Sequence, residues 1–306
     1  MQSKFILWKL FIQNSSKGLT LIELIVSLII GGILLSLTLS LLVSNRKLYV
    51  EDLARTEVNQ NLRATLDIIG TDLKQAGERI SEENFPVIEV NNSSDLTIRL
   101  NLSLPILRTC QNVSAGTTTA NNIPVTCSNT NDDVQQWQTY RCSLDGETGC
   151  QGNTQERVRA FIHDGNGNGE YFTYASEDTT NLSINRLNDG TPWQRNYSAN
   201  STVYILEEHR YQLVDHKMKL IIDGSKTLNI VNSIDSFDVK VSLPTISVET
   251  GTFPYTHTDG NTYRWWRLQS VKVNIKAINP SPGAAKVSQD KLNIAGQFFP
   301  RNSLSR

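Results

Sequence analysis

The sequence predicts an α+β protein in which one long N-terminal helix is laid against antiparallel sheet. Three observations carry this reading. An apolar run reaches from about Leu19 to Val43, long enough to cross a bilayer as a helix. From Asn45 to Ile80 the pattern becomes amphipathic, and no proline interrupts residues 19–80. After Pro86 the chain breaks into short alternating segments divided by turn signals.

The helix comes first. Leu62, Leu66, Ile69, Leu73 and Ala76 recur at helical spacing, and Arg63, Asp67, Asp72 and Lys74 fall between them. The expected elements are therefore a transmembrane half over 19–44 and an amphipathic half over 45–80, one rod ~93 Å long if unbroken. Gly31-Gly32 and Gly70 are candidate soft points, Gly77 lies near the end, and Pro86 lies beyond it. The apolar stripe spans only about three turns, which suits packing on a sheet better than a free coiled coil.

Residues 81–280 read as a β-rich soluble domain. Val87–Val90 and Leu96–Leu100 flank Asn91-Asn92-Ser93-Ser94-Asp95 as a hairpin-like pair. Residues 108–155, rich in Thr, Asn and Cys, read as an inserted loop region. Strands are expected again at 157–163, 170–174, 202–213, 218–222, 236–243 and 268–278. Asp215-His216 and Asp223-Gly224 supply turns. Short links imply antiparallel pairing. Residues 281–306 are expected to be an extended tail.

The chain has 306 residues, with 29 basic and 30 acidic side chains. Residues 1–18 hold Lys4, Lys9 and Lys17 and no acid, so their loss takes the formal charge from −1 to −4. Nucleic acid is therefore not expected as a bulk electrostatic partner. The three lysines precede the apolar helix, which places the N-terminus in the cytoplasm by the positive-inside rule. Arg46 and Lys47 oppose this weakly from the other end.

One acid interrupts the apolar run: Glu23, within Lys17-Gly18-Leu19-Thr20-Leu21-Ile22-Glu23-Leu24-Ile25-Val26. A carboxylate at the centre of a membrane helix costs roughly 2.5–3.5 kcal/mol on insertion scales, so such a group usually has a partner and a role. Upstream lie Asn14-Ser15-Ser16, Lys17 and Gly18. Residues 5–12 are apolar, but they are short, are broken by Lys9 and precede no small-residue cleavage site.

This arrangement resembles the N-terminus of type IV prepilins and type II secretion pseudopilins. The resemblance implies a pilin-like fold and a prepilin-peptidase cut between Gly18 and Leu19. Glu23 then becomes the fifth residue of the mature chain and pairs with the N-terminal amine of a neighbouring subunit. It also implies methylation of that amine. Leu19 stands where many pilins have Phe, and Ser40 where many major pilins have a helix-kinking Pro; the second departure weakens a major-pilin reading. Glu57–Glu78, especially Asn61–Gly77, resembles the corresponding helix end of PilW-like minor pilins. The whole is also similar in style to cyanobacterial pseudopilins of hormogonium polysaccharide secretion.

Four cysteines, Cys110, Cys127, Cys142 and Cys150, cluster beyond the membrane segment. An even count in an exported domain suggests disulfides, and neighbour pairing is the expectation among the three connectivities possible. Free thiols or a zinc site are the alternatives, although no Cys-x-x-Cys is present. Asp164, Asn166, Asn168 and Glu170 match the first half of an EF-hand loop, with Gly169 at position six. Position twelve is Ala175, so the segment reads either as a calcium site or as a Gly/Asn turn. Beyond that possible calcium, no cofactor is expected. Tyr263-Arg264-Trp265-Trp266-Arg267 reads as a stacking surface or as a strand end packed on the core.

No catalytic constellation is present. His163, His209, His216 and His257 lack zinc-protease spacing, and there is no Gly-x-Ser-x-Gly, P-loop or dinucleotide fingerprint. The expectation is a non-catalytic minor pilin or pseudopilin in the inner membrane, its soluble domain periplasmic or in a fibre. Its expected partners are other pilins and a prepilin peptidase. The alternative is a tip-borne binding module for glycan or DNA on a pilin stem.

Overall fold

The structure, a computed structural model, describes residues 20–80, 82–101, 104–117, 122–143, 157–243, 248–258, 260–278 and 292–304. The chain divides into two units, Met1–Thr56 and Glu57–Arg306, with the boundary inside the first helix.

That helix, α1, runs from Leu21 to Gln75. Its first half is long and apolar enough to cross a membrane, and the apolar window has no buried residue. In the second unit Leu62, Leu66, Ile69, Leu73 and Ala76 are all buried, the stripe expected from their spacing. Burial of a Leu or Ile contributes about 1.5–3 kcal/mol, so this face holds the helix down. Gly70 is a contact point, since a Cβ there would sit 2.2 Å from the Phe298 ring. Gly77 ends the helical stretch with φ +73°, and a Cβ on it would lie 2.8 Å from Trp265. Glycine satisfies both demands there.

The strands are Ile88–Asn92 (β1), Asp95–Asn101 (β2), Leu107–Arg108 (β3), Asn122–Pro124 (β4), Val158–His163 (β5), Gly169–Asp178 (β6), Ser183–Arg186 (β7), Thr202–Val214 (β8), Lys217–Ile222 (β9) and Lys226–Asn232 (β10). Among the described residues these form one antiparallel sheet ordered β1-β2-β8-β5-β6-β7-β4, with β3 and β9 also on β8 and β10 on β9. Asp215-His216 and Asp223-Gly224 turn the chain between β8, β9 and β10, all four with positive φ. Asp and Gly tolerate that region, as a tight hairpin requires.

A second sheet follows. Ile234–Leu243 (β11) pairs with Val248–Thr250 (β12); Tyr255–Thr256 (β13) and Thr262–Tyr263 (β14) make a small ribbon; Ser270–Ala277 (β15) lies between β11 and Asn293–Phe298 (β16). The α1 stripe, both sheets and Trp265 share one core; a second core centres on Trp137, Tyr174, Trp193 and Tyr197.

Two expectations need correcting. The 108–155 stretch is not only loop: Asn131–Cys142 forms a helix, α2. Thr130 and Asp133 cap its start reciprocally, and Trp137 and Val134 are fully buried beneath it. The C-terminal segment is not simply an extended tail. Asn293–Phe298 pairs along Val271–Lys276 of β15, and Arg301–Leu304 forms a short helix, α3. Leu292 and Ala277 at this edge are buried, so apolar burial draws the chain back onto the sheet.

Candidate functional site

The site begins where α1 begins. The Glu23 carboxylate accepts the backbone N–H of Thr20 at 3.0 Å and the Thr20 hydroxyl at 2.9 Å. In return the Glu23 N–H points at the Thr20 hydroxyl at 3.4 Å. This is a capping box: two orphan donors at a helix start are satisfied by side chains three residues apart. The Thr-x-x-Glu spacing was legible in the sequence, and Thr20 is the residue that the charge argument alone passes over. Both side chains are exposed, as are Leu21, Ile22, Leu24 and Ile25 around them. Gly18 and Leu19 lie outside the described residues.

Cys110 and Cys127 form a disulfide that closes a loop of 17-residue separation. Cys142 is buried at the end of α2, and Cys150 lies outside the described residues.

The Asp164 loop is closed by its own donors. Asp164 accepts N–H groups of Asn166 at 2.7 Å and Asn168 at 3.0 Å, and the Asn168 side-chain amide at 2.9 Å. Burial opposes its ionisation, but these bonds outweigh it and lower the pKa. Asn168 Oδ1 accepts from Arg195 at 3.0 Å, and Glu170 accepts the Gln194 N–H at 3.0 and 3.1 Å. The Arg264 guanidinium lies against Gly167, where a Cβ would meet it at 2.0 Å. Two guanidinium groups thus face the loop that the spacing offers to a cation. Among the described residues no group of three His, Cys, Asp or Glu is arranged to hold a metal ion.

Trp265 and Tyr263 are buried, and Trp265 donates to the Glu82 carbonyl at 3.2 Å. Trp266 is half-buried with the Arg267 guanidinium 4.4 Å from its ring centre. The run is therefore a turn of 3-10 helix over Trp265–Arg267 that packs on the core. One indole is interior and the other is covered by a cation.

Residues 13–39 match the family model of the prokaryotic N-terminal methylation motif. The chain therefore carries a type IV pilin-like prepilin signal, and its α+β architecture with a long N-terminal helix is consistent with a pilin-like fold. The motif supports a type IV pilin-like precursor, points to a structural subunit anchored in a membrane, and implies processing by a prepilin peptidase and assembly with other pilins. No curated protein and no solved structure gave a significant match.

Proposed function

We propose that this chain is a minor pilin or pseudopilin, a non-catalytic structural or priming subunit of a type IV pilus-like or type II secretion-like fibre. It is cleaved after Gly18 and assembles through Glu23. The observation that carries this reading is the coincidence of the methylation motif over 13–39 with Glu23 at the capped start of an exposed apolar helix. Cleavage after Gly18 creates an ammonium group at Leu19. A neighbouring subunit's ammonium and the Glu23 carboxylate neutralise one another in a medium where their attraction far exceeds that in water.

The soluble part suits a tip or priming position. It carries two sheets, the α2 excursion and a disulfide-closed loop, and such bulk obstructs close helical repetition along a shaft. The proposed orientation keeps the N-terminus cytoplasmic and the sheets outside. Labelled protein in purified fibres should sit at one end; uniform labelling along the fibre would refute the tip assignment. Incorporation should fail for Glu23→Ala while the leader is still removed.

A further inference from the structure

Asp72 is an acid on the buried face of α1, 9% exposed. Its Oδ2 accepts the Tyr211 hydroxyl at 2.5 Å and lies 2.6 Å from His209 Nδ1. The other ring nitrogen of His209, Nε2, lies 2.9 Å from Glu207 Oε1. A neutral imidazole has one N–H, and an ionised carboxylate can only accept. Both contacts are hydrogen bonds only when both ring nitrogens carry protons. The arrangement is therefore built for an imidazolium between two carboxylates.

The other groups around the ring agree. On β2 and β9 the residues opposite His209 are Ile98 and Ile222, which carry no charge. The helix presents Ile69, Leu73 and Ala76 beside Asp72, all apolar and buried. Tyr211 on β8 is a further titratable neighbour, and Asp223 in the turn between β9 and β10 adds negative charge. The hydrogen bond to Asp72 raises the His209 pKa; burial opposes the rise, and the charges of Asp72, Glu207 and Asp223 support it.

Asp72 also has a distinctive position in the helix. The hydroxyls of Thr56, Thr65 and Thr71 bond back to carbonyls within α1. Among the described residues, Asp72 is the one α1 side chain hydrogen-bonded across to the sheet.

We infer that Asp72, His209 and Glu207 form a proton-operated latch, in which the His209 imidazolium holds the last turns of α1 on the sheet and loss of its proton loosens them. A raised folded-state pKa gives stability that is fully present below the unfolded histidine value. That stability is lost as pH rises through the folded value. A domain outside the cytoplasm meets such changes of pH directly.

Hydrogen exchange of the full chain in detergent micelles tests this, with rates corrected for intrinsic pH dependence. Protection over residues 62–76 should fall roughly threefold or more between about pH 5.5 and about pH 8.5. Protection in β15 should stay constant. In His209→Gln the profile over 62–76 should be flat. A flat wild-type profile, or the same fall in His209→Gln, would overturn the latch. Glu207→Gln provides a milder variant, keeping Asp72 and the ring while removing one charge. Its transition should move to lower pH, and an unmoved transition would overturn the three-membered arrangement.

Discussion

Thr20 and Glu23 hold each other at the first turn of α1. One carboxylate oxygen of Glu23 accepts both the N–H and the hydroxyl of Thr20, at 3.0 and 2.9 Å. Glu23 therefore has a partner within its own chain before any neighbouring subunit arrives. In the proposed assembly, a neighbour's ammonium would add a charge partner to a carboxylate that is already oriented. This separates two roles that one mutation would otherwise mix. Glu23→Gln keeps an acceptor for Thr20 and loses the charge, so it should be cleaved normally and fail to enter fibres. Thr20→Ala keeps the charge and loses a cap worth about 1 kcal/mol, so it should enter fibres with only a modest loss. Quantifying processed and fibre-bound chain by immunoblot distinguishes the two, and equal defects would contradict the separation.

The Glu208 network should dominate acid sensitivity. Glu208 lies 2.7 Å from Arg99 Nε, 2.9 Å from Arg159 Nη1 and 2.5 Å from the Tyr171 hydroxyl. Burial pushes its pKa up, but Arg99, the Tyr171 hydrogen bond and Arg159 bring it down to about 2. A depressed carboxylate contributes stability above its unfolded value that is lost as pH falls through the folded value. Thermal melts should therefore weaken steadily from about pH 4.5 towards about pH 2. Glu208→Gln should lower stability at neutral pH by less than the about 3–5 kcal/mol that an unpaired buried charge costs, because Arg99 keeps Glu89 at 2.7 Å, and should flatten the acid limb. An unchanged acid limb would place the titration elsewhere.

Cys110 and Cys127 close their loop covalently. The chain-entropy model assigns a loop of this size about 3 kcal/mol. The paired Cys110→Ser, Cys127→Ser variant should melt lower by several degrees and should become insensitive to reductant at that loop. Differential scanning fluorimetry with and without dithiothreitol reads both.

The Asp164 loop should not respond to calcium. Its carboxylate already accepts three donors, and Arg195 and Arg264 bring positive charge against it. Millimolar calcium should leave the melting temperature unchanged. A rise would show a bound ion, since a ligand of the folded state must stabilise it.

The long helix, its buried stripe and the strands with alternating residues were legible because each depends on a local period. Leu62, Leu66, Ile69, Leu73 and Ala76 face inward as their spacing requires. The hairpins at Asp215-His216 and Asp223-Gly224 were legible from turn chemistry. Helix α2 was missed because Thr and Asn dominate the sequence around it. Its one signal was the Thr130-x-x-Asp133 cap, with Trp137 and Val134 behind it. Strand β16 was missed because its pairing partner is β15 and its apolar anchors, Leu292 and Phe298, say nothing locally about where they dock. The Asp72–His209 contact joins residues 137 apart in sequence, and no spacing rule brings such a pair together. Thr20 was legible through the capping spacing but is overshadowed by the charge of Glu23.

Mass spectrometry of the mature N-terminus, with the chain produced beside a prepilin peptidase, tests the pilin-precursor reading most directly. The chain should begin at Leu19 with a methylated amine, and Gly18→Ala should retain the leader. A wild-type chain that keeps Met1–Gly18, or that is cut at another bond, would contradict it.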